Sequence, residues 1–241
     1  DAQVEQLHES EKTASKITKQ SGTTGEGFFA VKEYKIIEDM DTPRAISWHD
    51  NKFIVAGQPE GLGFSVVAYN QTLEKEWVKN HTIGGYSSGL YDIAISSSGV
   101  INVSGSIGGA TTLDDIALTH GHETDPFVGR LNQSGKWLWA TDINTGAWSH
   151  SPKIITDNEG NSYVTGYVYS QAKLGSHSVG GNGWYDGFLA KLNSDGEWVW
   201  AKSIGGGSGD FGRALALDSK GYIYWAGDYL GEVKFGDDIV T

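Results

Sequence analysis

The chain has 241 residues, with 34 Gly, only 4 Pro and a generous 9 Trp, 11 Tyr and 8 Phe, which suits short strands and tight turns packed by large side chains. Its net charge of -12 argues against nucleic acid and anionic membrane surfaces as partners, because both need a basic face. The absence of Cys excludes disulfides, thiolate metal sites and a Cys nucleophile, and no apolar run approaches the ~20 residues of a membrane-spanning helix.

Residues 1–25 hold no aromatic side chain and are mostly charged or small and polar. Val4, Leu7 and Ile17 give a faint helical stripe, so this part is expected to be a flexible leader or short helix, ending in a Ser-Gly-Thr-Thr-Gly linker. It is also the part through which a homo-oligomer or assembly would form. The chain opens at Asp1 with no visible signal peptide, as a processed or trimmed chain would.

From Gly27 onward two elements alternate. One is a Phe-led strand: GFFAV at 27–31, GFSVVAY at 63–69, PFVGRL at 126–131 and GFLAKL at 187–192. The other is a short strand closing on glycine: FIVAG at 53–57, INVSG at 101–105, SYVTG at 162–166 and YIYWAG at 222–227. The closing glycines Gly57, Gly105, Gly166 and Gly227 are spaced 48, 61 and 61 residues apart. An alternating strand and a turn precede each glycine-ended strand, and a turn and a Trp-bearing strand follow each later Phe strand. Four short antiparallel strands per repeat is the arithmetic of a β-propeller blade. The expectation is therefore an all-β propeller of four blades, at about 41–85, 86–145, 146–206 and 207–241 plus 26–40. Pairing of the N- and C-terminal half-blades would close the ring and remove two sheet edges. A fragment of a larger propeller, cut mid-blade, is the competing reading.

The string from Thr156 to Gly207 carries D-x-x-G-N-x-Y-x-x-G, then D-x-F-L-x-K-L, then G-x-x-x-W and G-G. It resembles the bacterial β-propeller repeat often called the SBBP repeat. Residues 91–145 match less completely, and residues 212–236 match the first half. The resemblance implies the propeller fold and an exported or cell-surface bacterial protein. It implies no single activity and assigns no catalytic residue.

Trp77, Trp137 and Trp198 share a register, and Trp139 and Trp200 lie two residues on, so their repetition reads as packing between blades rather than as sugar platforms. The acids at Asp125, Asp157, Asp186 and Asp218 are too sparse for a calcium loop and read as turn and strand-end residues. His120 and His122 are weak metal candidates, since His-x-His places both rings on one side but no third His is near. No Gly-x-Ser-x-Gly elbow appears, and Gly205–Gly212 resembles a phosphate loop only in composition. No catalytic residue and no cofactor is assigned.

Residues that break the repeat are better ligand candidates, because crossing loops cluster on a rigid frame. They are Arg44, Tyr91, Asp92, Trp148, His150, Trp184, Tyr185, Asp210, Phe211 and Arg213. Aligned on the turns, Arg44, Asp92, Lys153 and Ala214 are equivalent and differ in every blade, which argues for one asymmetric site. The expectation is a non-catalytic extracellular binding or scaffold module for a glycan or protein. The alternative is a polysaccharide-acting hydrolase or lyase with acids at the channel mouth. The two differ in whether perturbed acids gather there or stand well apart.

Overall fold

The computed structural model describes residues 40–59, 61, 63–82, 88–119, 125–143 and 152–235, and the backbone of 238–240. Regular structure among these residues is entirely β. The first sheet is an antiparallel meander of β1 (Thr42–His49), β2 (Lys52–Gln58), β3 (Phe64–Asn70) and β4 (Lys75–His81). The second runs β5 (Gly89–Ile95), β6 (Ile101–Ile107), β9 (Asp125–Leu131) and β10 (Trp137–Asp142), with a small hairpin of β7 (Thr111–Leu113) and β8 (Ile116–Leu118) inserted before β9. The third is β11 (Lys153–Thr156), β12 (Ser162–Leu174), β13 (His177–Leu192) and β14 (Trp198–Gly206). A two-stranded sheet of β15 (Phe211–Leu217) and β16 (Ile223–Asp228) follows. The first strands pack side by side, β1 on β5, β5 on β11 and β11 on β15.

This is a propeller-like, all-β array of antiparallel sheets. The N-terminal side of the expected ring closure, 26–39, lies outside the described residues, as does the whole of 1–25. On the C-terminal side, β17 (Val233–Phe235) pairs with β14 and with β18 (Asp238–Val240), and it does not pair with β16. Residues 167–186 are largely strand, in the outer parts of β12 and β13. The β12–β13 pairing runs out to Leu174↔His177, because Val168, Ala172, Leu174 and Val179 alternate inward among glycines and serines and are buried.

The repeat is legible in the packing. Phe64, Phe127 and Phe188 lie in β3, β9 and β13, and all are fully buried in the cores between sheets. The tryptophans are packing residues. Trp77 donates its indole N–H to the carbonyl of Gln133 at 3.0 Å, and Trp139 donates to that of Ser194 at 3.0 Å. Each lies against the turn of the next sheet, Trp77 on Gly135 and Trp139 on Gly196. Trp77 is thus the equivalent of Trp139, which corrects the sequence register that set it against Trp137. Turn and bulge agree on this: counted from the turn residues Asn70 and Asn132, the bulge falls at the same place, between Lys75 and Trp77 in β4 and between Trp137 and Trp139 in β10. Trp137 is itself buried and donates to His81 Nε2 at 2.8 Å. Arg130 ties two turns to β6, donating to the carbonyls of Ser194 and Gly160 and to Asn102 Oδ1.

One turn recurs six times at the end of the sheets where strands pair off. Asn70, Asn132, Asn193, Asp157 and Asp218 each accept, through Oδ1, the backbone N–H groups two and four residues on, at 2.8–3.0 Å. Ser96 fills the same place with its hydroxyl. Three residues on, the chain needs a positive φ, supplied by Gly99, Gly135, Gly160, Gly196 and Gly221 at 78° to 85° and by Leu73 at 61°.

Candidate functional site

The opposite end, where β1, β5, β11 and β15 begin, is built differently. β1, β5 and β15 carry a bulge near their start, between Pro43 and Ala45, Leu90 and Asp92, and Gly212 and Ala214. The extra residues are Arg44, Tyr91 and Arg213, so these three are equivalent. This corrects the sequence alignment, which set Arg44 against Asp92. Ala45, Asp92, Lys153 and Ala214 pair with Ala56, Ser104, Thr165 and Ala226 and are the true equivalents. A bulge re-aims a side chain at the end of a strand. Here each bulged residue meets the residue that follows a repeated glycine. Arg44 Nη2 donates to Gln58 Oε1 at 3.5 Å, and Ser106 Oγ lies 3.1 Å from Tyr91 Oη. Arg213 grips Asp228, Nε to Oδ1 at 2.9 Å and Nη2 to Oδ2 at 2.8 Å.

The bulges also explain the glycines. A Cβ on Gly57, Gly105 or Gly227 would stand 2.1–2.3 Å from the carbonyl oxygen of Thr42, Gly89 or Phe211. Gly166, where β11 enters without a bulge, has room: its Cβ would meet the Phe188 ring at 3.2 Å and Pro152 Cα at 3.5 Å.

Contacts between sheets join these pairs into one surface. The Arg44 guanidinium lies 5.5 Å from the Tyr91 ring centre. Lys153 Nζ stands 3.5 Å from the Tyr91 carbonyl oxygen. Tyr167, the residue after Gly166, sits among Arg213, Tyr185 and Tyr91, all close enough to act on its hydroxyl, whose pKa is raised chiefly by burial. Its ring meets Tyr185 at 5.5 Å and Phe211 at 4.9 Å, both edge-on, and Tyr169 adds a contact with Tyr185 at 5.4 Å. Trp184 beside them is 72% exposed. Arg213 covers Phe211 at 4.5 Å.

Three acids at this end are shifted. Burial pushes the Asp92 carboxyl above the usual carboxylate range, against the opposing pull of the Ile154 N–H, which Oδ2 accepts at 3.0 Å, and of Lys153. Asp228 is held below that range by the hydrogen bonds from Arg213. Asp186 is fully buried, and burial raises its pKa; Oδ2 accepts the Asn182 N–H at 3.1 Å, while Oδ1 has no partner among the described residues and touches Gly205. Asp210, also fully buried, accepts the N–H groups of Gly206 at 2.8 Å and Leu230 at 3.1 Å, so it organises the crossing segment from within.

The structure therefore brings together Arg44, Tyr91, Asp92, Tyr185, Phe211 and Arg213, with Trp184 at the rim and Asp210 beneath. Trp148, His150, His120 and His122 lie outside the described residues. No group of three metal-ligating side chains occurs among the described residues. Sequence reasoning missed Tyr167 and Asp228. The signal was present: both follow a repeated glycine, at the place held by Gln58 and Ser106 elsewhere.

No family model matches the chain, and no curated protein matches it. Among solved structures, a GH43 endo-arabinanase from Bacillus licheniformis matches at 14% identity, covering 78% of this chain and 98% of that one, with a TM-score of 0.27. At that score it assigns no role to any residue here. The expected non-catalytic module is corrected on the site itself: at this one end of the array Asp92 is shifted upward by burial, beside Lys153, and Asp228 downward by Arg213.

Proposed function

We propose that the protein hydrolyses a polysaccharide at the end of the array where the first strands begin. The observation that supports this is one surface holding two carboxylates driven apart in pKa, Asp92 upward by burial and Asp228 downward by Arg213. Glycoside hydrolysis needs such a division of labour: a protonated acid for the leaving oxygen, and an ionised partner that activates water or attacks the anomeric carbon. In this reading Asp92 protonates the glycosidic oxygen. Asp228 is the ionised group, held in orientation by Arg213. Tyr91, Tyr167, Tyr185 and exposed Trp184 offer ring faces for sugars. The finer fold belongs to the same proposal: a four-bladed ring of SBBP-type repeats, exported and acting on glycan outside the cell.

The test is reducing-end release from a panel of plant and bacterial polysaccharides. Wild type should act on at least one, and Asp92→Asn should lose about 10²–10⁴-fold in rate, the usual worth of a general acid. A panel with no release, or an Asp92→Asn protein as fast as wild type, would overturn the assignment.

A further inference from the structure

Among the side chains at the entry end, the cations are distributed unevenly between tasks. Arg213 is used up internally, bound through two nitrogens to Asp228. Arg44 and Lys153 are not. Among the described residues neither closes a salt bridge with a carboxylate. Both stand against Tyr91 from different strands, Arg44 with its guanidinium 5.5 Å from the ring centre and Lys153 with Nζ 3.5 Å from the backbone carbonyl oxygen.

This placement runs against the rest of the molecule. The chain carries 30 acids against 18 Lys and Arg, so a polyanion is repelled by the protein as a whole. Two cations that close no salt bridge among the described residues, both against Tyr91, are the local exception, although Lys153 also acts on the Asp92 carboxyl. Guanidinium forks match carboxylate and sulfate oxygens in pairs, and an ammonium adds a mobile point charge. The exposed Arg44 reaches solvent, while half-buried Lys153 is partly desolvated, which strengthens its field.

We infer that Arg44 and Lys153, together with Tyr91, bind an anionic sugar residue of the substrate chain, through its carboxylate or sulfate group. The inference rests on the hydrolase reading for its location, and it names the substrate class that reading leaves open. The sugar ring lies on Tyr91 and its acidic group meets the two cations, next to Asp92.

Affinity electrophoresis of the full chain tests it. Gels hold polygalacturonate, its fully methyl-esterified form, a sulfated galactan or neutral arabinan. Polygalacturonate or the sulfated galactan should retard the protein, and whichever does so names the acidic group. The esterified chain and arabinan should not. The double variant Arg44→Met with Lys153→Met should lose at least tenfold in affinity, and Arg44→Lys with Lys153→Arg should recover most of it. Equal retardation by acid and ester, retardation unchanged in the double Met variant, or none by either anionic chain overturns the inference. Failure of the two readings is distinguishable. Retardation without reducing-end release from any polysaccharide sinks the hydrolase and leaves the anionic site standing. Release from arabinan without retardation by either anionic chain does the reverse.

Discussion

At the turn end, Asn70, Asn132, Asn193, Asp157 and Asp218 occupy one position and make one pattern of bonds. At the entry end, the residues after the four repeated glycines are Gln58, Ser106, Tyr167 and Asp228; three of the strands facing them carry a bulged residue, Arg44, Tyr91 or Arg213, and β11 carries none. One end repeats its chemistry and the other varies it on the same frame. Repetition at a turn marks a residue kept for what it does to the backbone. Variation at an equivalent position on a rigid frame marks residues free to be recruited for chemistry.

The largest expected effect comes from the glycines that admit the bulges. Gly105→Ala and Gly227→Ala put a Cβ 2.3 Å and 2.1 Å from a backbone oxygen and should cost about 3 kcal/mol or more, measured by urea unfolding. Gly166→Ala, with no bulge opposite, should cost about 1 kcal/mol or less. Equal losses at the three sites would break the claim that bulges, rather than the repeat itself, require these glycines.

A smaller effect concerns pH. Burial drives the His81 pKa below 6.5, against Asp114, and the neutral ring accepts the Trp137 N–H. Because the folded pKa lies below the unfolded one, the stability it contributes is present above pH 6.5 and is lost as pH falls toward the folded value. The melting temperature should fall as pH drops from 6.5, and His81→Gln should flatten that part of the curve. An unchanged slope in His81→Gln would place the titration elsewhere.

The smallest change is a gain. Leu73 holds φ 61° where the other turns carry Gly, so Leu73→Gly should stabilise by about 0.5–1 kcal/mol despite the looser unfolded chain. A loss would show that the Leu73 side chain contributes more than its backbone costs.

The turn end was legible in the sequence because its requirements are local: an Asx side chain at one position and a glycine three residues later. The Trp rows were legible as packing for the same reason, since they recur in step with the strands. The entry end was not. A bulge adds one residue to a strand without any residue type that announces it, so Arg44 aligned with Asp92 on paper and with Tyr91 in three dimensions. Asp228 and Tyr167 were hidden because their partners, Arg213 and the Tyr185–Phe211 pair, lie on other strands. The acids behaved likewise. Asp157 reads as a turn residue and is one, while the shift on Asp92 comes from burial that only the assembled sheets create.

The central claim is that function sits at the end where the repeat diverges and stability at the end where it does not. The direct measurement is reducing-end release and melting temperature for two variants side by side, Asp92→Asn and Asp157→Ala. Asp157 holds two turn N–H groups and the Tyr163 hydroxyl, so Asp157→Ala should cost about 1–3 kcal/mol and leave the rate of the folded protein unchanged. Asp92→Asn removes a carboxyl whose raised pKa destabilises the fold once ionised, so it should melt no lower than wild type at pH 7 and lose its activity. Activity lost in Asp157→Ala and retained in Asp92→Asn would contradict the account.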